Sequence, residues 1–271
     1  MLETSKRVAS GGRTNYPLTP FWAKVSVNAF ESYENQIMPL LSVVIPAYNE
    51  AATVAQVIGR VESCTLPDGF DREIIVINDG STDATAEALK PFEHRHKILH
   101  TENSGKGGAC RRGFSLCQGD FIIVQDADLE QNPNDFSELL RPILSDSADV
   151  VFGSRFLGRY KASSATMVVH YWINQLFTFA TNLITGYRTT DVWTGYKMYS
   201  RKALNALLPH LRSNGIEFEL EVAVLLGKFG MRVVDVPISY VPRWYKDGKK
   251  TDWRQATRSV GQLMKFRLRK V

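Results

Sequence analysis

The chain has 271 residues, 44% of them hydrophobic and 23% charged, an ordinary globular composition that fits one large α/β domain able to bury a core. Cys64, Cys110 and Cys117 are odd in number and lack metal-type spacing, which excludes a disulfide framework or zinc site and reads as free thiols in a reducing compartment. Net charge is +5, yet residues 243–271 hold ten Lys or Arg against two Asp, +8, which leaves −3 for the rest. Residues 1–20 lack the apolar stretch of a secretory signal, and no apolar run is long enough for a membrane-crossing helix, so neither is expected.

Residues 1–38 are weakly patterned and read as an N-terminal extension. Leu41–Ile45 predicts a first strand, and Val54, Val57, Ile58 and Val61 give Ala51–Val61 helical spacing. Glu73–Ile77 is a second strand, followed by the turn Asn78-Asp79-Gly80-Ser81-Thr82-Asp83 and a helix over Ala84–Leu89. A short third strand, Ile98–His100, leads to a glycine-rich loop at Asn103–Gly108 that opens a helix through Cys117. Asp120–Val124 and Val150–Phe152 are strands four and five. Residues 163–187 carry helical spacing at Ile173, Leu176, Phe177, Ala180, Leu183 and Ile184. A polar turn at Thr189–Asp191, a strand at Lys197–Tyr199, helices from Arg201 and Phe218, and an apolar strand at Val233–Tyr240 follow.

Strands alternating with helices predict a Rossmann-like, mixed, mostly parallel sheet flanked by helices. Right-handed crossovers bring strand C-termini and helix N-termini to one sheet edge, where such sheets bind ligands. Glu50, Asp79, Lys106, Asp126 and Asp128 are therefore expected to converge there.

The segment Val124-Gln125-Asp126-Ala127-Asp128-Leu129-Glu130 carries the strongest chemistry. Two carboxylates at i and i+2 after a buried strand suit Mg²⁺ or Mn²⁺, and the cation in turn suits a diphosphate. Glu130 is a further ligand, direct or through water. Asp79 either accepts from a base or ribose, or caps the helix that follows, although Ser81 or Asp83 could do that. Glu50 takes ribose hydroxyls or is a favourable acid in a first helical turn. Ser104-Gly105-Lys106-Gly107-Gly108 resembles a phosphate cradle without Walker spacing, with a plain turn as the alternative. Arg155, in Gly153-Ser154-Arg155, clamps a phosphate with its planar fork or pairs with a surface acid.

Taken in order, Pro46-Ala47-Tyr48-Asn49-Glu50, Asn78-Asp79-Gly80-Ser81-Thr82-Asp83, Asn103-Ser104-Gly105-Lys106-Gly107, Asp126-Ala127-Asp128-Leu129 and Gly153-Ser154-Arg155-Phe156 resemble the family 2 glycosyltransferases of the GT-A fold. Asp191 with Thr194-Gly195-Tyr196-Lys197, Phe218-Glu219-Leu220-Glu221, and Arg243 with Gly248-Lys249-Lys250 are similar to the branch of dolichol-phosphate mannose synthases and polyprenyl-phosphate sugar synthases. The likeness spans about residues 40–260. It implies a GT-A catalytic domain over 39–242 and a basic C-terminal tail over 243–271 at a membrane surface. It implies that Pro46, Tyr48, Glu50, Asp79, Lys106 and Asp126 bind nucleotide. Asp126 and Asp128, with Glu130, would hold metal and diphosphate. Asp126, Asp128 and Arg155 would carry catalysis, and Asp191, Glu219, Arg243, Lys249 and Lys250 would meet the sugar or acceptor. A UDP- or GDP-hexose donor, a polyprenyl phosphate acceptor and inversion by in-line displacement are implied, at the cytoplasmic membrane face without a spanning helix. Three departures stand out: Asn78-Asp79 where many members read Asp-Asp, Glu130 where mannose synthases often carry Gln, and no C-terminal membrane helices.

Tyr171–Ile184 reads as an interfacial helix under a lipid or as a helix packed on the sheet. Arg258, Lys265, Arg267, Arg269 and Lys270, interleaved with Val260, Leu263, Met264, Phe266 and Leu268, read as a surface-seeking or a solvated helix. A hydroxyl acceptor is the alternative, and it would need a general base. Nucleic-acid binding is not expected, because aromatic–basic interleaving is sparse, and a homo-oligomer is compatible with the fold without a residue arguing for it.

Overall fold

A computed structural model describes residues 38–158, 165–243 and 260–270. In chain order the described elements are β1 (Leu40–Ala47), α1 (Val54–Ser63), β2 (Asp71–Asp79), α2 (Thr85–Leu89), β3 (Lys97–Thr101), α3 (Gly105–Leu116), β4 (Phe121–Val124) and α4 (Phe136–Leu144). They continue with β5 (Val150–Ser154), α5 (Ala165–Thr185), β6 (Lys197–Ser200), α6 (Arg201–Leu207), α7 (Phe218–Lys228), β7 (Val233–Pro237) and α8 (Val260–Leu268).

The strands form one sheet in the order β3-β2-β1-β4-β6-β5-β7. β1 lies at the centre of a parallel set with β2, β3 and β4. β6 runs antiparallel between β4 and β5, and β5 pairs parallel with β7. The sheet is thus mixed and mostly parallel, as expected. Most boundaries shift by one or two residues, and two shift by three. Residues 51–53 form a turn, so the first helix starts at Val54. The last strand ends at Pro237, which has no N–H with which to extend a ladder. Beyond it, Tyr240 makes an isolated bridge to Gln131.

The period-two pattern of β1 sends Leu41, Val43 and Ile45 into one core and Val44 into another. The first core is filled by Val54, Val57, Ile58 and Val61 of α1 and Phe136, Leu139 and Leu140 of α4. The second takes Cys110 and Phe114 of α3, Leu204 and Leu207 of α6, and Phe218, Val222, Leu225 and Leu226 of α7. α7 is apolar on most sides because it is covered twice. Its outward residues Leu220, Ala223 and Val224 meet Phe177 of α5 and Leu263 and Phe266 of α8.

Candidate active site

β4 delivers Asp126 two residues beyond its last buried valine. The loop then bends sharply: Leu129 adopts φ 63°, a left-handed conformation that costs a leucine energy and is held by its surroundings. Gln131 fixes Asp126 from behind, accepting from its N–H at 3.1 Å and donating to its Oδ2 at 3.2 Å. Asp128 closes the turn by accepting from the Glu130 N–H at 3.1 Å.

Each carboxylate faces a cation. Lys106 Nζ lies 2.8 Å from Asp126 Oδ1 and 3.6 Å from Glu219 Oε1. Arg243 donates to both carboxylate oxygens of Glu50, at 3.1 and 3.2 Å, and to Asp128 Oδ2 at 3.0 Å. Burial alone would depress the Lys106 ammonium, but Asp126 and Glu219 hold it above its ordinary value. The Asp128 carboxyl is pushed up to about 7 by burial and by the charges of Asp126 and Glu130, with Arg243 working the other way. Glu50 also accepts from Thr53 Oγ1, which donates in addition to the Ala127 carbonyl at 2.7 Å and ties α1 to the Asp126–Asp128 turn. Glu50, Lys106, Asp126 and Asp128 are thus brought to one edge.

Glu130 and Asp191 are engaged within the protein. Glu130 accepts from Tyr240 Oη at 2.7 Å and from the Arg243 N–H at 2.8 Å, and its carbonyl accepts from the Val241 N–H. Both carboxylate oxygens therefore fasten the 240–243 segment. Asp191 is fully buried and accepts from Arg155 Nε and Nη2, each at 2.7 Å, and from Asn174 Nδ2 at 3.0 Å. The acid facing Arg155 is thus buried, not superficial. The Arg155 guanidinium lies 5.4 Å from the ring centroids of both Phe156 and Tyr240.

Asp79 is 3% exposed and caps α3, not the helix after its own strand. It accepts from Ser104 N–H and Oγ, both at 2.9 Å, and from the Gly105 N–H at 2.8 Å. Asp83 accepts from the Thr85 N–H instead. Gly105 has φ +81° and its absent Cβ would stand 2.5 Å from the Asn214 carbonyl, so no other residue fits there. That carbonyl also accepts from the Gly107 and Gly108 N–H groups. The amides of Ser104, Gly105, Gly107 and Gly108 already have protein partners, so the turn offers a phosphate the Lys106 ammonium in place of a row of free N–H groups. Pro46 is partly buried near the end of β1, between buried Ile45 and Ala47, and Tyr48 beyond the strand is 40% exposed. Lys249 and Lys250 lie outside the described residues.

Among the described residues no three or more His, Cys, Asp or Glu are grouped as a metal cage. Asp126 and Asp128 are nonetheless hard oxygen donors of the right number for Mg²⁺ or Mn²⁺, which are commonly held by one or two carboxylates plus substrate phosphates. The raised Asp128 carboxyl marks surplus negative charge that a cation would relieve. Sequence reasoning missed Gln131 as the support of Asp126, and it named Lys197 only within a motif. Nothing local in either position signals its partner.

Solved structures share this fold. A crystal structure of M. tuberculosis glucosyl-3-phosphoglycerate synthase superposes with TM-score 0.64 at 22% identity, over 84% of this chain and 80% of that one. The fold is GT-A. The chain belongs to glycosyl transferase family 2, whose profile matches residues 42–208. It is 28% identical over 253 residues to the UDP-N-acetylglucosamine--dolichyl-phosphate N-acetylglucosaminyltransferase of Methanococcus voltae, covering 86% of this chain and 98% of that protein. It is 25% identical over 222 residues to the undecaprenyl-phosphate 4-deoxy-4-formamido-L-arabinose transferase of Pseudomonas fluorescens, covering 79% and 61%. Both belong to the polyprenyl-phosphate sugar transferase branch.

Proposed function

We propose that this enzyme moves a hexose from a UDP- or GDP-sugar to a polyprenyl monophosphate, with inversion, at a membrane surface. The observation that carries the reading is the alternation at the strand edge: Asp126 against Lys106, and Asp128 against Arg243. Such a set has acids for a divalent cation and bases for phosphates within one cluster. The names of the two relatives support the lipid phosphate as acceptor.

Asp126 and Asp128 would hold Mg²⁺ or Mn²⁺, which when bound supplies Lewis-acid neutralisation of the departing nucleoside diphosphate. Lys106 adds a positive charge on the same side. Pro46, Tyr48, Glu50 and Asp79 are assigned to the nucleoside end of the donor, Asp79 acting mainly by fixing the Ser104–Gly105 turn. Arg155, oriented by buried Asp191, presents the acceptor phosphate with a planar fork. A phosphomonoester is largely ionised at neutral pH, its second pKa being near about 6, so its oxygen attacks without a general base. Positioning and charge stabilisation then carry the reaction. Arg243 is assigned to neutralise Glu50 and Asp128 in the metal-free protein and to turn to phosphate when a cation takes its place. Glu130 is assigned to fasten the 240–243 segment.

α5 supports the membrane contact. Opposite its packed face it exposes Val168, Val169, Trp172, Leu176, Phe179 and Leu183, a continuous apolar stripe, and no described helix is long and apolar enough to cross a bilayer. Incubating purified protein with Mn²⁺ or Mg²⁺, a polyprenyl monophosphate and a panel of UDP- and GDP-sugars tests the reading. Lipid-linked sugar and free nucleoside diphosphate are expected together, and both are lost in Asp128→Ala. Donor binding with turnover only on a free hydroxyl would move the acceptor to a glycan.

A further inference from the structure

Behind Lys106 the site continues inward as a row of charges that the reaction above leaves unused. Glu219 reaches Lys106 with one oxygen, at 3.6 Å, and forms an ion pair with Lys197 through the other. Lys197 is fully buried, and Glu219 is 5% exposed. The Lys197 ammonium also donates to the carbonyls of Thr194 and Val192, and it lies 4.7 Å from the centroid of the Phe152 ring. Those two carbonyls belong to the turn that carries Gly195. A Cβ on Gly195 would stand 2.6 Å from Lys106 Nζ and 2.9 Å from Asp126 Oδ2. Lys197 therefore grips two of the neighbours of Lys106: its second carboxylate and the glycine turn.

A fully buried ammonium is costly, and hydrophobic residues of similar volume commonly replace such pairs without loss of stability. Burial pulls the Lys197 ammonium below its ordinary value, and Glu219 works against that pull. The row Lys197–Glu219–Lys106–Asp126 alternates in sign along its whole length. Without Glu219, Asp126 alone would hold the Lys106 ammonium, and the two would close into a simple ion pair.

We propose that Lys197 is a positioning residue: through Glu219 and the Thr194 carbonyl it sets where the Lys106 ammonium stands against the donor diphosphate. The inference rests on the reading that Lys106 meets that diphosphate. It gives buried Glu219 the task of sharing Lys106 with Asp126, in place of a sugar contact.

The test is calorimetric titration of UDP and GDP, and of uridine and guanosine, into the full-length protein with Mn²⁺. The variants are Lys106→Met, Lys197→Met, and Lys197→Met/Glu219→Gln, which removes both buried charges together and so leaves neither unpaired. The double variant is expected to lose about tenfold or more in diphosphate affinity, the usual effect of a supporting residue, with nucleoside affinity unchanged. In a Lys106→Met background it should cost nothing further. If the double variant does not fold, Lys197→Met alone, which leaves Glu219 paired with Lys106, should give the same pattern. A folded variant with wild-type diphosphate affinity, an equal loss for nucleoside and diphosphate, or additivity with Lys106→Met would each overturn the proposal. Wild-type affinity in Lys106→Met would instead sink the reading of the site on which it stands.

Discussion

Arg243 and Asp128 are separated by 115 residues in the chain, yet guanidinium and carboxylate lie 3.0 Å apart. The same guanidinium spans both oxygens of Glu50, while its Nε, buried, finds no partner among the described residues. An arginine with a spare donor, set among acids where a cation is assigned, competes with that cation. Arg243→Met is therefore expected to strengthen Mn²⁺ binding in the absence of nucleotide by about fivefold, the scale of a partly exposed ion pair. It should weaken binding of the nucleoside diphosphate. Titration of Mn²⁺ alone, then of UDP or GDP with Mn²⁺, separates the two effects; weaker binding of Mn²⁺ alone would show that Arg243 does not compete.

The carboxyl of Asp128 is raised from 3.8 to about 7, so the folded, metal-free protein holds its proton more tightly than the unfolded chain does. Stability from this group is full below about 4 and is lost as pH rises to about 7. A divalent cation needs the carboxylate, so its affinity should move the opposite way, climbing with pH and levelling above about 7. Calorimetry in buffers of different ionisation heat should detect proton release on Mn²⁺ binding at pH 6 and little at pH 8. Asp128→Asn should abolish the difference.

Gly195→Ala places a methyl within 2.6 Å of Lys106 Nζ and 2.9 Å of Asp126 Oδ2. The lysine end can swing aside, so the fold should survive with a melting temperature within a few degrees of wild type. The Lys106–Asp126 contact should not survive. Donor turnover is expected to fall by about a hundredfold, the effect of a misplacement of about an ångström at a reacting centre.

Asp191→Asn leaves the Arg155 guanidinium without its buried counter-charge. Breaking such a pair from one side should cost about 3 kcal/mol of unfolding free energy, measurable by denaturant titration. Arg155→Lys keeps a charge but loses the fork. It is expected to raise KM for polyprenyl phosphate more than KM for the nucleotide-sugar. Equal rises would place Arg155 away from the acceptor.

Trp172 and Leu176 are 65% and 67% exposed on α5. Trp172→Glu with Leu176→Glu should leave the melting temperature unchanged and reduce flotation with anionic vesicles more than tenfold, since each buried apolar side chain contributes about 2 kcal/mol. Tryptophan emission of the wild type should shift to the blue on vesicle addition. Flotation equal to wild type would assign the stripe to something other than lipid.

The nucleotide half of the sheet was legible because its message is local. Leu41–Ile45, Glu73–Ile77 and Asp120–Val124 are short apolar runs that end in Glu50, Asp79 and Asp126, and topology alone brings strand ends together. The direction of β6 was not legible, because alternating apolar residues look the same in parallel and antiparallel pairing. Nor was the employment of Glu130. Its spacing from Asp128 suits a metal ligand, and the groups that claim it, Tyr240 and Arg243, are 110 and 113 residues away. Lys197 carried no periodic signal, since a buried lysine makes sense only once Glu219 is beside it. For α5 the sequence offered lipid contact or packing on the sheet. The helix rests on α7 and α8 in place of the sheet, and its other face is open.

Because β6 runs against its neighbours, its beginning, not its end, lies where β4 and β5 finish. The 191–196 turn is thus a visitor at an edge otherwise furnished by loops that follow strands, and it arrives from the half of the chain that carries α5. Rewriting that one turn would reach Arg155 through Asp191 and Lys106 through Gly195 while leaving β1, β2 and β4 untouched. The two halves of the chain are therefore not free to drift apart: any change the turn accepts must keep both cations where the strand-end loops need them.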